Sequence, residues 1–204
     1  MEELVAAICV VFTGVMGFKA YKVYPSYKGG LHQQLFSSYA EYFWRYAMKH
    51  DLSRSSYLAD CLGDHHLAYN AYLDATGKPA VAFTTLFCSR GVVSVCAMTA
   101  GGAYSGGDIG PWAVVRDGAA AVCASPVVYL RRQEKLLSRL AKGCRVEYLV
   151  AFPDGSDLSG IESSYPMMAV SDVLPYVEGM GQTMSVEDYR KAFDAFKEMA
   201  RNGE

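Results

Sequence analysis

The sequence predicts an α/β domain preceded by one N-terminal membrane helix. Three features carry this prediction: an uncharged apolar run at the start, strand-like runs in the middle, and amphipathic helices around them. The chain has 204 residues, which is enough for one ordinary domain and a short appendage. Because 51% of the residues are hydrophobic, the chain can bury a core, and disorder over most of its length is excluded.

Charge and cysteine content narrow the function classes. The chain carries 19 Lys and Arg against 21 Asp and Glu, a net charge of -2. This balance lacks the basic excess typical of nucleic-acid-binding domains. Nucleic acid therefore stays a possible partner that the net charge does not support. The six cysteines occur singly, without the paired spacing of a structural zinc site. Cysteines inside apolar runs favour a reducing compartment.

The N-terminal run is typical of a membrane segment. No charge occurs from Leu4 to Phe18, and Lys and Tyr residues follow. A bilayer needs about 20 residues, and residues up to 24 extend the span because Lys side chains reach back to the interface. We therefore predict an anchor over residues 1–24. A buried core helix and a cleaved signal sequence are the alternatives. The residues taken to mark the anchor are Leu4, Val11, Phe18, Lys19 and Lys22.

Orientation follows from the lysines at the end of this run. Positive charge marks the cytoplasmic side of a membrane helix. We therefore predict a single-pass membrane protein whose C-terminal domain lies in the cytoplasm. Residues 25–30 (PSYKGG) have turn composition and are the predicted linker, so the domain covers residues 31–204.

The first part of the domain is predicted to combine one helix with three strands. Aromatic residues at helical spacing predict an amphipathic helix over 31–50, and the polar stretch 51–66 is read as irregular. In that stretch Asp64, His65 and His66 are adjacent, and adjacent side chains rarely converge on one metal ion. Strand-like runs follow at 68–74, 80–88 and 91–98, which predict a meander.

The second part begins with a glycine-rich segment. Residues 99–110 contain five glycines without the spacing or lysine of a phosphate loop, so a flexible loop is expected. Residues 112–115 and 119–123 predict a hairpin. The last predicted elements are a helix from 125 to 142, strands at 146–152 and 167–170, and helices at 172–178 and 186–200.

The helix from 125 to 142 has a row of cations on its polar face. A basic row can bind phosphate or another anion, although most such rows are simply solvated. We treat the row as the candidate ligand-binding site. Its members are Arg131, Arg132, Lys135 and Arg139.

A set of residues within these elements forms a pattern in register from about residue 65 to residue 180. Its members are Tyr69 to Leu73, Gly77-Lys78, Ser89 to Val95, Gly102, Gly106-Gly107, Trp112, Gly118, Ser125-Pro126, the leucines of the helix from 125 to 142, and Val150 to Phe152. This pattern and the order of the elements resemble the nuclease-related domain (NERD) family. The resemblance implies the restriction-endonuclease-like fold, a mixed central sheet flanked by helices.

The resemblance also implies where catalytic residues would stand. The family's metal-binding Asp falls on Phe83 or Thr84, and its Glu-x-Lys pair falls on Cys96 and Met98. Residues i and i+2 of a strand share a face, so Glu and Lys would stand together to hold Mg²⁺ and water. Sulfur is a poor ligand for Mg²⁺, and neither replacement carries charge. The family's helix Gln falls on Tyr129, although Gln133 lies one turn later.

These losses favour a catalytically inactive binding module without a cofactor, whose partner is a protein or nucleic acid. One alternative is a nuclease that uses Mg²⁺ or Mn²⁺ through relocated carboxylates, for which Glu41, Asp108 and Glu147 are candidates. Another is a cysteine enzyme based on Cys96 or Cys88. Apolar surroundings disfavour it because they raise the pKa of a thiol.

Overall fold

The computed structural model describes residues 1–74 and 76–202. It has two β-sheets flanked by helices, and one long helix at the N-terminus. The helices are α1 (Glu2–Tyr27), α2 (Leu31–Leu35), α3 (Tyr39–Trp44), α4 (Ser56–Leu62), α5 (Pro126–Leu140), α6 (Val173–Gly179) and α7 (Val186–Asn202). The strands are β1 (His65–Leu73), β2 (Pro79–Cys88), β3 (Gly91–Ala97), β4 (Ala103–Gly107), β5 (Trp112–Arg116), β6 (Ala119–Cys123), β7 (Val146–Phe152), β8 (Asp157–Glu162) and β9 (Met167–Ala169).

The first sheet has the strand order β1-β2-β3-β7-β9 and is mixed. The predicted meander of β1, β2 and β3 is confirmed, with antiparallel pairing throughout. Strand β7 pairs with β3 in parallel, and β9 pairs with β7 in parallel. Parallel neighbours need a long connection, and the chain between β3 and β7 supplies one that includes α5.

The two faces of this sheet are covered by different helices. One face packs against α2, α4 and α6, while the other packs against α5 and α7. Alternation along the strands explains the division, because successive side chains point to opposite faces. On β3, for example, Val93 and Val95 face α2 and α6, whereas Cys96 faces α5.

The second sheet contains two strands that the sequence did not predict. Its order is β6-β5-β4-β8, so the hairpin of β5 and β6 is confirmed, but β4 lies in the expected glycine loop. The buried Trp112 explains the glycines, because a Cβ on Gly106 would lie 2.3 Å from its Cδ1. The indole Nε1 also donates to the carbonyl of Gly107 at 2.8 Å. Here glycine lets the backbone approach a large ring and does not indicate a loop.

The single helix predicted over residues 31–50 is wrong. The segment breaks after Leu35, because Phe36 is buried in an extended conformation and Ser38 caps a new helix by accepting from the amide of Glu41. Residues Arg45–Lys49 continue α3 as a π-helical turn. The stretch read as irregular also holds a helix, α4, whose start is capped by the hydroxyl of Ser55.

Helix α1 is exposed over its apolar part and packs on the domain near its end. The candidate anchor residues Leu4, Val11 and Phe18 are exposed. The ammonium group of Lys22 lies 4.7 Å from the ring of Phe18, and Lys19 donates to the carbonyl of Ala47 at 3.3 Å. The stretch from Glu3 to Tyr27 is long and apolar enough to cross a membrane. A signal sequence near the N-terminus has a similar length and composition.

The junction between α1 and the domain is more ordered than a linker. The helix continues through Pro25 to the buried Tyr27, so only residues 28–30 of the predicted 25–30 linker form a turn. The hydroxyl of Tyr39 donates to the carbonyl of Ala20, which lies about two turns before Tyr27 in α1. The last turns of α1 are therefore part of the core.

Candidate functional site

The candidate site lies on the face of the first sheet that α5 covers. The strands bring four polar side chains together there, because positions two apart on a strand share a face. Asn70 and Tyr72 come from β1, Thr85 from β2 and Ser94 from β3, and Thr85 and Ser94 are register partners. Above them lies Gln133 of α5, which is fully buried.

Gln133 bonds to all four of these side chains. Its Oε1 accepts from Nδ2 of Asn70 at 2.9 Å and from the hydroxyl of Tyr72 at 3.1 Å. Its Nε2 donates to Oδ1 of Asn70 at 3.2 Å, to the hydroxyl of Thr85 at 3.3 Å and to that of Ser94 at 3.1 Å. A buried amide is costly unless it is paired, so these bonds stabilise one position of α5 on the sheet. We call this set the Gln133 network.

The family resemblance places its helix glutamine on Tyr129, one turn before Gln133. The structure instead puts Tyr129 at the border of the helix, where its ring lies 6.0 Å from that of Tyr72 and 5.5 Å from the guanidinium of Arg132. Gln133 lies between Leu130 and Leu137 at helical spacing, on the apolar stripe of α5, and this position turns its amide towards the sheet.

Two of the positions that the family resemblance assigns to catalytic groups, Phe83 and Cys96, also lie on this face. Phe83 and Cys96 are register partners on β2 and β3, two residues along the same strand pair from Thr85 and Ser94. Phe83 is 1% exposed and Cys96 is 0% exposed. Both pack against Leu130 of α5 and Trp112 of the second sheet. This part of the site is therefore dry and apolar.

The other two assigned positions differ in their surroundings. Thr84 belongs to the opposite face of the sheet, because it alternates with Phe83. Met98 follows the end of β3 and is partly buried against the same cluster as Cys96. Burial raises the pKa of the Cys96 thiol to about 12, so this thiol stays protonated at neutral pH. Burial also raises the pKa of Cys88.

The basic row on α5 divides into two parts. Arg131 pairs with the carboxylate of Asp108 at 3.6 Å. It does not line the groove that the other three cations share. Arg132, Lys135 and Arg139 line a groove of about 840 Å³ between α5 and strand β1. All three cations are exposed. We call this the β1 groove.

The three candidate carboxylates lie on separate elements, each with local partners. Glu41 of α3 accepts from Ser37 and from the amide of Ser56, and pairs with Arg45. Asp108, before β5, accepts from the amide and hydroxyl of Ser164. Glu147 of β7 pairs with Arg145 at 2.9 Å. Among residues 1–74 and 76–202, no three His, Cys, Asp or Glu side chains form a cluster that could hold a metal ion.

The adjacent trio of Asp64, His65 and His66 also points in different directions. Asp64 accepts from Tyr189 at 2.7 Å and from Arg190, and hydrogen bonds of this kind hold the pKa of its carboxyl well below the usual range. His65 is buried and accepts from the amide of Ser55. His66 stacks on a ring of α7 instead. These side chains fasten α4 and α7 to β1.

In comparisons with known proteins, the chain matches no family model, no curated protein and no solved structure. Function is therefore inferred from the side chains and from the topology of the first sheet.

Replacing Gln133 by Leu should lower the free energy of unfolding by about 2–4 kcal/mol, because it leaves several buried polar partners unpaired. Urea unfolding of the full chain in detergent measures the loss. Lys135→Leu on the exposed face of the same helix is the matched control and should change stability by less than about 0.5 kcal/mol. Equal effects of the two substitutions would contradict a stabilising network.

Glu41→Gln should destabilise the fold in a pH-dependent way. Burial raises the pKa of Glu41, but hydrogen bonds from Ser56 and Ser37 outweigh it and lower the pKa from 4.5 to about 2. The ionised carboxylate therefore stabilises the fold above pH 4.5, and this contribution is lost as the pH falls from 4.5 towards 2. Unfolding of both proteins across this range should show their difference shrinking below pH 4.5. A difference independent of pH would refute the role of the ionised carboxylate.

Proposed function

We propose that this chain is a membrane-anchored, cytoplasm-facing NERD-like domain that does not cleave phosphodiesters and acts as a binding or regulatory module. One observation carries the proposal: Phe83 and Cys96 meet as buried cross-strand partners where the resemblance implies metal ligands. The pair leaves no charged group at the centre of the site.

The topology of the first sheet supports the restriction-endonuclease-like part of the proposal. The resemblance rests on the order helix, three strands, hairpin, helix, strand, strand and helix. The structure follows this order in part, but β4 precedes the hairpin, β8 precedes the last strand, and the helix before β1 is α4 instead of one helix over residues 31–50. The central sheet is mixed, with helices on both faces, as the resemblance implies. The Gln133 network adds support, since it places a helix glutamine directly over the strands that would carry the catalytic groups.

Chemistry explains why this site would not hydrolyse a phosphodiester. Hydrolysis with a metal ion needs oxygen ligands and a group that positions the attacking water. Phe83 offers neither, and a protonated, fully buried Cys96 is a poor partner for Mg²⁺. The polar groups nearby, Thr85 and Ser94, are neutral and already bonded to Gln133.

The membrane part of the proposal rests on α1. Its apolar residues are exposed, so the protein itself does not cover them, and a bilayer would. Lys19, Lys22 and Lys28 follow the apolar run, and lysines at this end favour the cytoplasm for the domain. Because the last turns of α1 pack on the domain, the anchor would hold the site close to the membrane surface.

A direct test is titration of the full chain in detergent with Mg²⁺ and Mn²⁺, with labelled single- and double-stranded DNA and RNA in the same samples. We expect no saturable heat and no cleavage, because the described residues supply no cluster of oxygen ligands. Metal-dependent cleavage would overturn the proposal. If that cleavage were lost in Glu41→Gln, Asp108→Asn or Glu147→Gln, the nuclease with relocated carboxylates would be the correct alternative.

The predicted orientation is tested by protease protection in cells that produce the chain. The domain should sediment with membranes, resist extraction at alkaline pH, and be digested only after the cells are permeabilised. A domain that is digested from outside intact cells would show the opposite orientation. Release of the domain into the soluble fraction would exclude an anchor.

A further inference from the structure

Strand β1 forms an unpaired edge of the first sheet. It is the terminal strand in the order β1-β2-β3-β7-β9. The amide of Leu67 points away from β2, because it donates to the carbonyl of Ser53 at 2.8 Å. In an antiparallel pair the outward and inward residues alternate, so the N–H and C=O groups of Tyr69 and Ala71 also point outward. No strand in the described part of the chain pairs with them.

This open edge forms one wall of the β1 groove. The groove is lined by Asn70 to Leu73 on the strand side and by cations of α5 on the helix side. Those cations are Arg132, Lys135 and Arg139, and the lining holds no carboxylate among the described residues. An exposed strand edge usually carries a device that prevents pairing with other chains. On β1 the start of the edge is covered by the bond of Leu67 to Ser53, and the register shifts between Tyr72 and Leu73. The edge between these two points stays open beside a positively charged wall.

The spacing of the two walls suits an extended chain. The cations stand at positions i, i+3 and i+7 of α5, which spreads them over about 10 Å of the helix axis. Alternate residues of an extended strand lie about 6.6 Å apart and point to the same face. Acidic side chains at alternate positions of an added strand could therefore reach successive cations while its backbone bonds to β1.

We propose that the β1 groove binds an acidic, extended segment of a protein partner as an additional strand on β1. The outward groups of Tyr69 and Ala71 supply backbone hydrogen bonds, and Arg132, Lys135 and Arg139 select carboxylates. The inference deepens the proposed binding module, on which it rests, by assigning its partner class and its docking surface.

The open backbone favours a peptide over nucleic acid. A nucleic acid would use the three cations through its phosphates, but it has no regular row of N–H and C=O groups to match the outward groups of β1. A short acidic strand uses both walls of the groove.

The experiment uses the full chain in uncharged lipid nanodiscs and fluorescence anisotropy. The probe is a labelled peptide of alternating Glu and Thr, and the controls are a Lys/Thr peptide and a Glu/Thr peptide N-methylated on alternate amides. The acidic peptide should bind saturably, and the Lys peptide should not. The N-methylated peptide should bind at least tenfold more weakly, because it cannot complete the backbone bonds.

Protein variants then test each wall separately. The triple substitution Arg132→Gln, Lys135→Gln and Arg139→Gln should weaken binding at least tenfold. The control that removes equal charge at exposed sites elsewhere, Lys49→Gln with Arg116→Gln and Lys191→Gln, should not.

On the strand side, Ala71→Pro removes one outward N–H and should also weaken binding at least tenfold. If Ala71→Pro fails to fold, the N-methylated peptide tests the same backbone hydrogen bonds on the unaltered protein.

The outcomes separate this inference from the proposed function. Absence of acidic-peptide binding would overturn the inference, while an absence of metal-dependent cleavage would still support an inactive domain. Binding of labelled single-stranded DNA that the triple variant loses, without acidic-peptide binding, would assign the groove to nucleic acid instead. Equal binding of the plain and N-methylated acidic peptides would show a charged surface without strand addition, and would also overturn the inference.

Discussion

The buried amide of Gln133 is the constraint on which the rest of the site depends. A primary amide without exposure to water must find partners for both its oxygen and its nitrogen, and here they come from three neighbouring strands. This requirement fixes the position of α5 over the meander. The same helix position presses Leu130 onto Phe83 and Cys96 and directs the cations of its outer face towards β1.

The two sides of α5 have opposite chemical character. Its inner side closes an apolar layer, where the burial of Cys96 raises the thiol pKa and leaves no room for charge. Its outer side borders a groove with three cations and an unpaired strand. In the function proposed above, the domain binds a partner and does not hydrolyse phosphodiesters. The proposed binding surface lies at the edge of the sheet and not at its buried centre.

Side-chain contacts hold the end of α1 against the domain that follows it. Lys19 and Tyr39 tie the end of the helix to the domain, and Tyr27 enters the core. A helix held in this way is a rigid continuation of the domain, unlike a flexible tether. In a membrane it would set both the distance and the orientation of the β1 groove relative to the lipid surface.

The sequence by itself determined the regular elements, since β1 to β3, the hairpin, α5, β7 and α7 follow from apolar periodicity and turn residues. It also indicated the basic row of α5, whereas the pairing of Phe83 with Cys96 comes from the strand register of the structure. Only the tertiary structure showed β4, because its glycines serve contact with Trp112, and the break at Phe36. It also decided that Gln133 contacts the strands and that three cations share a groove with β1, because both depend on how α5 packs on the sheet. The local pattern of apolar and turn residues specifies helices and strands. Which residues from distant parts of the chain come into contact depends on how those helices and strands pack.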